Sequence, residues 1–129
     1  MARTRLQRPT DSELEILNVL WERGPSTVRE VQEVLAETRE NGYTTVLKIL
    51  QIMAGKGLVE RDEGQKAHVY RAVGEREKTQ RLLVNDLVDR AFDGSAAGLV
   101  VSALGSKRAS SAELAEIRAL LDRYEGRKR

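Results

Sequence analysis

The sequence predicts a mainly α fold with one small β-hairpin, and three observations carry that prediction. Apolar residues recur at helical spacing in three short runs near the amino terminus, each bounded by capping and stop signals. Two strand-like runs then flank a single polar turn. Charged residues reach 33% and aromatics only 4% of 129 residues, the balance of helix-rich, charge-covered proteins rather than of β-sandwiches. The length suits one domain, or one small domain with an appendage, and 40% hydrophobic residues suffice for a core without metal or disulfide.

The first helix opens where Thr10 and Glu13 frame a capping box. Leu14, Leu17, Leu20 and Trp21 form its apolar stripe, Ile16 widens it, and Gly24-Pro25 stops it. Thr27 and Glu30 repeat the box for a second helix, with Val28, Val31 and Leu35 at helical spacing beside Val34 and a stop at Asn41-Gly42. Thr44 or Thr45 caps a third run, in which Val46, Ile49, Leu50 and Met53 share one face before Gly55-Lys56-Gly57 ends it. Leu58 to Asp62 and Ala67 to Ala72 then read as strands around the turn Glu63-Gly64-Gln65-Lys66. Three helices followed by a hairpin is the order of a winged helix-turn-helix, whose third helix enters the major groove while the wing covers phosphates.

After Gly74 the pattern changes, so residues 1–73 read as a DNA-binding domain and 74–129 as a helical dimerisation region. Val84, Leu87, Val88, Ala91 and Phe92 share a helical face that ends at Asp93-Gly94, and a short apolar segment runs from Leu99 to Leu104. Ser110 and Glu113 form a third capping box. Leu114, Ile117, Leu121 and Tyr124 then step as the seam of a short coiled coil, with Leu120 beside it. About three helices in this tail leave the stripe needing a partner, either the same tail of a second chain or the chain's own winged domain.

The absence of cysteine and the single His68 exclude thiol chemistry, disulfide frameworks and Cys/His-rich metal sites, so neither metal nor cofactor is expected. An enzyme is not expected either, since no nucleophile–base pair, Gly-rich phosphate loop or metal cluster stands out. MARTRLQRPT lacks the apolar core of a secretory signal, and no run approaches the ~18 apolar residues of a membrane span, so the expectation is a cytoplasmic protein without membrane insertion. The net charge of +2 is unevenly spread: +3 over Met1 to Arg8, −5 over Pro9 to Glu40, and +2 over Asn41 to Ala72. Acids gather on the first two helices; cations gather in the arm, the third helix and the wing.

Leu14-Glu15-Ile16-Leu17-Asn18-Val19-Leu20-Trp21, Thr27-Val28-Arg29-Glu30-Val31, Tyr43-Thr44-Thr45-Val46 through Met53, Lys56-Gly57-Leu58-Val59 and Tyr70 together resemble the penicillinase-repressor family. These are the winged-helix repressors of β-lactam-resistance and copper-transport genes. The resemblance implies a homodimer that binds double-stranded DNA at a pseudo-palindromic operator and leaves it when a signal arrives. Copper-responsive members carry a cysteine-rich carboxy-terminal motif, which this chain lacks. In β-lactam-responsive members a membrane metalloprotease signalling system leads to cleavage at an Asn-Phe pair; here the ungapped alignment places Ser102-Ala103.

The third helix must turn polar side chains to DNA while its apolar face holds the core, which makes Thr44, Thr45, Lys48 and Gln51 the base-reading candidates. Leu47 and Ile52 also point outward, either to thymine methyls or to packing on a neighbouring element. Tyr43 either bonds a phosphate or staples the turn as a half-buried ring. Arg29 at the start of the second helix and Gln65 with Lys66 in the wing are the natural phosphate contacts. Arg3, Arg5 and Arg8 either follow the minor groove or form a solubilising tail. A winged helix that binds protein instead of DNA is the competing reading, and the near-neutral charge of the winged domain is its best argument.

Overall fold

The computed structural model describes residues 8–38, 40–64, 68–106 and 108–127. Its elements run α1 (Asp11–Arg23), β1 (Ser26–Thr27), α2 (Val28–Leu35), α3 (Tyr43–Lys56), β2 (Val59–Asp62), β3 (Val69–Ala72), α4 (Arg76–Ala91), α5 (Ala96–Ser106) and α6 (Ser111–Arg127). The chain divides between Val84 and Asn85 into two compact units.

The first unit is a winged helix-turn-helix. Both predicted capping boxes close: Thr10 Oγ1 accepts from the Glu13 N–H and Glu13 Oε1 from the Thr10 N–H at 3.2 and 2.9 Å, and Thr27 and Glu30 do the same at 3.1 and 2.9 Å. The core draws Ile16, Leu17, Val19 and Leu20 from α1, Val28, Val31 and Leu35 from α2, and Val46, Leu50 and Met53 from α3, with Val59 and Tyr70 from the sheet. The buried side of α1 is therefore centred on Ile16 and Leu17, and Leu14 and Trp21 lie at its rim.

Three local expectations are corrected. The hairpin is part of a three-stranded antiparallel sheet of order β1-β3-β2, because Ser26 and Thr27 pair with Tyr70 and Val69 before α2 begins. Helix α2 stops at Leu35, well short of Asn41-Gly42: its last core residue is Leu35, and Glu37 and Thr38 close i→i−3 turns instead of further α-helical ones. Helix α3 is capped by the backbone of Gly42, not by Thr44 or Thr45, since the chain becomes helical at Tyr43 and both threonines fall inside the first turn. Gly57 ends α3 in the left-handed conformation at φ 84°, the conformation glycine adopts without a Cβ clash.

The second unit holds the end of α4, then α5 and α6. Asp93 and Gly94 take positive φ of 51° and 81° between α4 and α5, and the Ser95 hydroxyl accepts from the Gly98 N–H at 2.8 Å to open α5. The apolar segment Leu99 to Leu104 is thus helical. The third capping box also closes, with Ser110 and Glu113 exchanging bonds of 3.0 and 3.1 Å at the start of α6. No described residue from Asn85 onward is fully buried. Among the described residues no helix is long and apolar enough to cross a membrane.

Candidate nucleic-acid interface

With Val46, Leu50 and Met53 locked into the core, successive steps of about 100° fix what α3 turns to solvent. Thr44, Lys48 and Gly55 form the centre of the outward face, Gln51 and Ile52 lie to either side, and Thr45 is at its edge. Thr44, Thr45, Lys48 and Gln51 are all exposed, and neither threonine hydroxyl serves as a cap. The two outward aliphatic residues part company: Leu47 packs against the core, whereas Ile52 is 48% exposed.

Two residues expected from the sequence to meet phosphate, Arg29 and Tyr43, border this face on the side of α2. Arg29 is exposed, and its guanidinium carbon lies 5.8 Å from the centroid of the half-exposed Tyr43 ring, a cation–π contact that holds the arginine over the start of α3. Arg29 and Tyr43 line an open cleft of about 430 Å³ with Thr27, Val28, Leu47, His68 and Tyr70. Tyr43 is 46% exposed, so the ring is half-covered while its edge is open to solvent. His68 is exposed and precedes β3 instead of lying within it.

On the other flank Gln51 shares a second cleft with Ala54, Glu60, Arg61 and Glu63. The described cations of the wing strands are paired: Arg61 with Glu63, and Arg71 with Glu60 directly across the ladder. The hydrogen bond from Arg61 holds the Glu63 carboxyl below its usual range. Gln65 and Lys66 lie outside the described residues, as do Arg3 and Arg5. The structure therefore brings together Arg29, Tyr43, Thr44, Thr45, Lys48 and Gln51 on and beside α3.

Two long-range contacts within the first unit carry no signal in the sequence. Lys56, in the last turn of α3, donates to both carboxylate oxygens of Glu13 at 2.8 and 3.1 Å, and Glu13 is only 3% exposed. Burial pushes the Glu13 carboxyl up, but the bonds from Lys56 and from the Thr10 N–H outweigh it and hold the group below its ordinary value. The Trp21 indole N–H donates to the Gly74 carbonyl at 3.0 Å, and the Arg76 guanidinium lies 5.8 Å from the Trp21 ring. The first pair ties α3 to the start of α1; the second fixes the start of α4 on the first unit.

In the second unit Leu114 and Ile117 are half-buried, and Leu87, Leu121 and Tyr124 are 46%, 57% and 52% exposed. Ser102 and Ala103 are exposed in the middle of α5.

A family model described as the penicillinase repressor matches residues 9–123. The chain belongs to the penicillinase repressor family. That family is one of transcriptional repressors and not of enzymes. Within it, the transcriptional regulator BlaI of Mycobacterium tuberculosis, in strains CDC 1551 / Oshkosh and ATCC 25618 / H37Rv, is 38% identical over 90 residues, 69% of this chain. The match spans 65% of the length of those relatives. The penicillinase repressor of Bacillus licheniformis is 21% identical over 125 residues, 97% of this chain and 98% of that one. Among solved structures, the solution structure of monomeric Bacillus licheniformis BlaI in complex with the blaP half-operator matches with a TM-score of 0.50 at 22% identity. It covers 57% of this family member and 89% of the solved chain, and it supports the winged-helix fold.

Proposed function

We propose that the chain is a sequence-specific, DNA-binding transcriptional repressor that acts in the cytoplasm as a homodimer on a pseudo-palindromic operator. The observation that carries this reading is the outward face of α3: polar Thr44, Lys48 and Gln51 stand clear of the chain on a helix whose opposite face is fixed in the core. In the major groove Lys48 donates to guanine O6 or N7, the Gln51 amide matches adenine N6 and N7, and the threonine hydroxyls serve phosphate or base. Arg29 and Tyr43 on one flank, with Gln65 and Lys66 in the wing, set the register on the phosphates. The half-operator in the Bacillus licheniformis complex supports an operator of two halves.

The reading assigns residues 74–129 to dimerisation. Val100, Val101, Leu104, Leu120 and Leu121 are all at least 39% exposed in a unit that buries no described residue, an apolar surface that a second copy would cover. An electrophoretic shift with the DNA upstream of the chain's own gene tests the proposal: a complex that survives excess random duplex is expected, and equal competition by random duplex contradicts it. The same experiment removes or retains the rival reading of a protein-binding winged helix, which the paired wing cations Arg61 and Arg71 favour.

Lys48→Ala is expected to weaken operator binding by about 1–3 kcal/mol and leave random DNA nearly unaffected, whereas Lys66→Ala lowers both alike. Equal losses on both duplexes for both variants would take Lys48 out of base readout. Binding of the unaltered chain is expected to fall steeply with salt as phosphate counterions are released.

Repression is proposed to end by proteolysis between Gly98 and Gly105, downstream of a membrane metalloprotease signalling system. Ser102 and Ala103 lie in α5, which carries two glycines, each costing a helix about 1 kcal/mol relative to alanine, and buries no residue. Local opening there presents an extended apolar strand, and a cut separates the Leu114 to Tyr124 seam from the DNA-binding half. Mass spectrometry of the protein from induced cells is expected to show a fragment ending within Leu99 to Leu104; full-length chain throughout derepression excludes the mechanism.

A further inference from the structure

We propose that Ile52 is a base-reading residue that recognises a thymine methyl group in the operator, and that Gly55 keeps the surface of α3 clear for the strand that carries it. The assignment rests on the DNA-binding reading and deepens it by naming a base that the protein selects.

Ile52 is 48% exposed on the side of α3 turned away from the core, among Thr44, Thr45, Lys48 and Gln51. A β-branched side chain is a weaker helix former than leucine, lysine or glutamine, and one that stays 48% exposed recovers only part of its burial energy within the fold. Leu47, the other aliphatic residue off the main core face, is accounted for by its packing. Among the described residues Ile52 is not one of those packed against the core.

Its place on the helix indicates the occupant. Thr44, Lys48 and Ile52 follow one another at intervals of four residues, a line of about 12 Å at 1.5 Å per residue. At one base pair per about 3.4 Å of duplex, that line spans three to four base pairs. The apolar group exposed on the major-groove edge of a base pair is the thymine C5-methyl, and an aliphatic side chain reads it by contact. Gln51 lies on the other side of the Lys48–Gly55 line and carries an amide that matches adenine, so the apolar contact of Ile52 and the polar contact of Gln51 fall on separate parts of the face.

Gly55 is a second and independent sign of close approach. Among the described residues a Cβ built on it meets nothing within 4 Å, and its φ is not positive, so neither their crowding nor the backbone conformation requires glycine there. A glycine at this position weakens the helix relative to alanine. It lies at the centre of the outward face, three residues beyond Ile52, where a missing side chain lets a DNA strand come close to the backbone.

The test begins with the operator that the full chain selects from random duplexes. Each thymine is then replaced in both half-sites by deoxyuridine, which lacks only the methyl group. At one thymine position the replacement is expected to weaken the unaltered protein about sixteenfold, roughly fourfold per buried methyl. Ile52→Ala is expected to bind the thymine operator more weakly and to show no difference between thymine and deoxyuridine; Ile52→Val keeps part of the discrimination. Gly55→Ala is expected to melt higher than the unaltered protein yet bind the operator at least tenfold more weakly. Selection of no sequence at all overturns the DNA-binding reading together with this assignment. A selected operator whose thymines are all dispensable, or whose replacement costs the unaltered protein and Ile52→Ala the same, overturns the Ile52 assignment alone. Unchanged operator affinity in Gly55→Ala overturns the clearance role.

Discussion

Replacing Ile117 and Leu121 together by aspartate is expected to convert the chain to a monomer and to lower operator affinity by about a hundredfold or more. Leu121 is 57% exposed and Leu114 and Ile117 are half-buried, so the α6 seam offers an apolar stripe that its own unit covers only in part. Two carboxylates in that stripe would have to be desolvated on association, which apolar packing around them cannot offset. A single substitution leaves most of the seam intact, which is why the pair is needed. Loss of the dimer separates the two half-site contacts and removes an avidity of about 10² to 10⁴ without touching α3. Sedimentation velocity reads the association state, and circular dichroism confirms that helix content is kept. A double variant that remains dimeric would place the interface on another face, such as that of Leu87 or Val101.

The second large effect concerns stability. Lys56→Met leaves the Glu13 carboxylate buried without its cation, and a loss of about 2–3 kcal/mol is expected: breaking a buried pair costs about 3–5 kcal/mol, and partial exposure of Lys56, whose side chain is 28% accessible, lowers that figure. For a domain of this size the melting temperature should fall by roughly 10–20 °C. The pH dependence separates loss of the ion pair from loss of packing. In the unaltered protein the folded-state Glu13 carboxyl lies below its ordinary value of 4.5. The pair therefore contributes fully above about pH 4.5, and the contribution is lost as pH falls through the lower folded value. In Lys56→Met burial acts without the opposing cation, so protonation of Glu13 should relieve the defect and narrow the gap to the unaltered protein as pH falls. Thermal melts between pH 3 and 6 that stay a constant distance apart would show that the ion pair contributes nothing.

The contrast between these sites shows which features are legible in a sequence. The capping boxes at Thr10, Thr27 and Ser110 are local, since cap and partner stand three residues apart and the same bonds form wherever the helix lies. Helical phase is local too, and the positions of Thr44, Lys48 and Gln51 on the outer face of α3 follow from the apolar residues between them. The Glu13–Lys56 pair joins residues 43 apart, and no periodicity announces it. Strand β1 has only two residues, too few for any alternation, and exists because β3 offers it an edge. The end of α2 is not legible, because Asn41-Gly42 is a clear stop signal whereas the actual limit is the last core residue of the helix, Leu35. The separation of Leu47 from Ile52 depends on what packs beside α3, which only the assembled fold reveals.

The most direct test of the account is the affinity and stoichiometry of the full chain on two duplexes, one carrying the complete operator and one carrying a single half of it. Two chains are expected on the complete operator, one dimer per site, with an affinity about a hundredfold or more above that for the half-site and a steep fall with added salt. Equal affinity for the complete operator, the half-site and random duplex of the same length would contradict it.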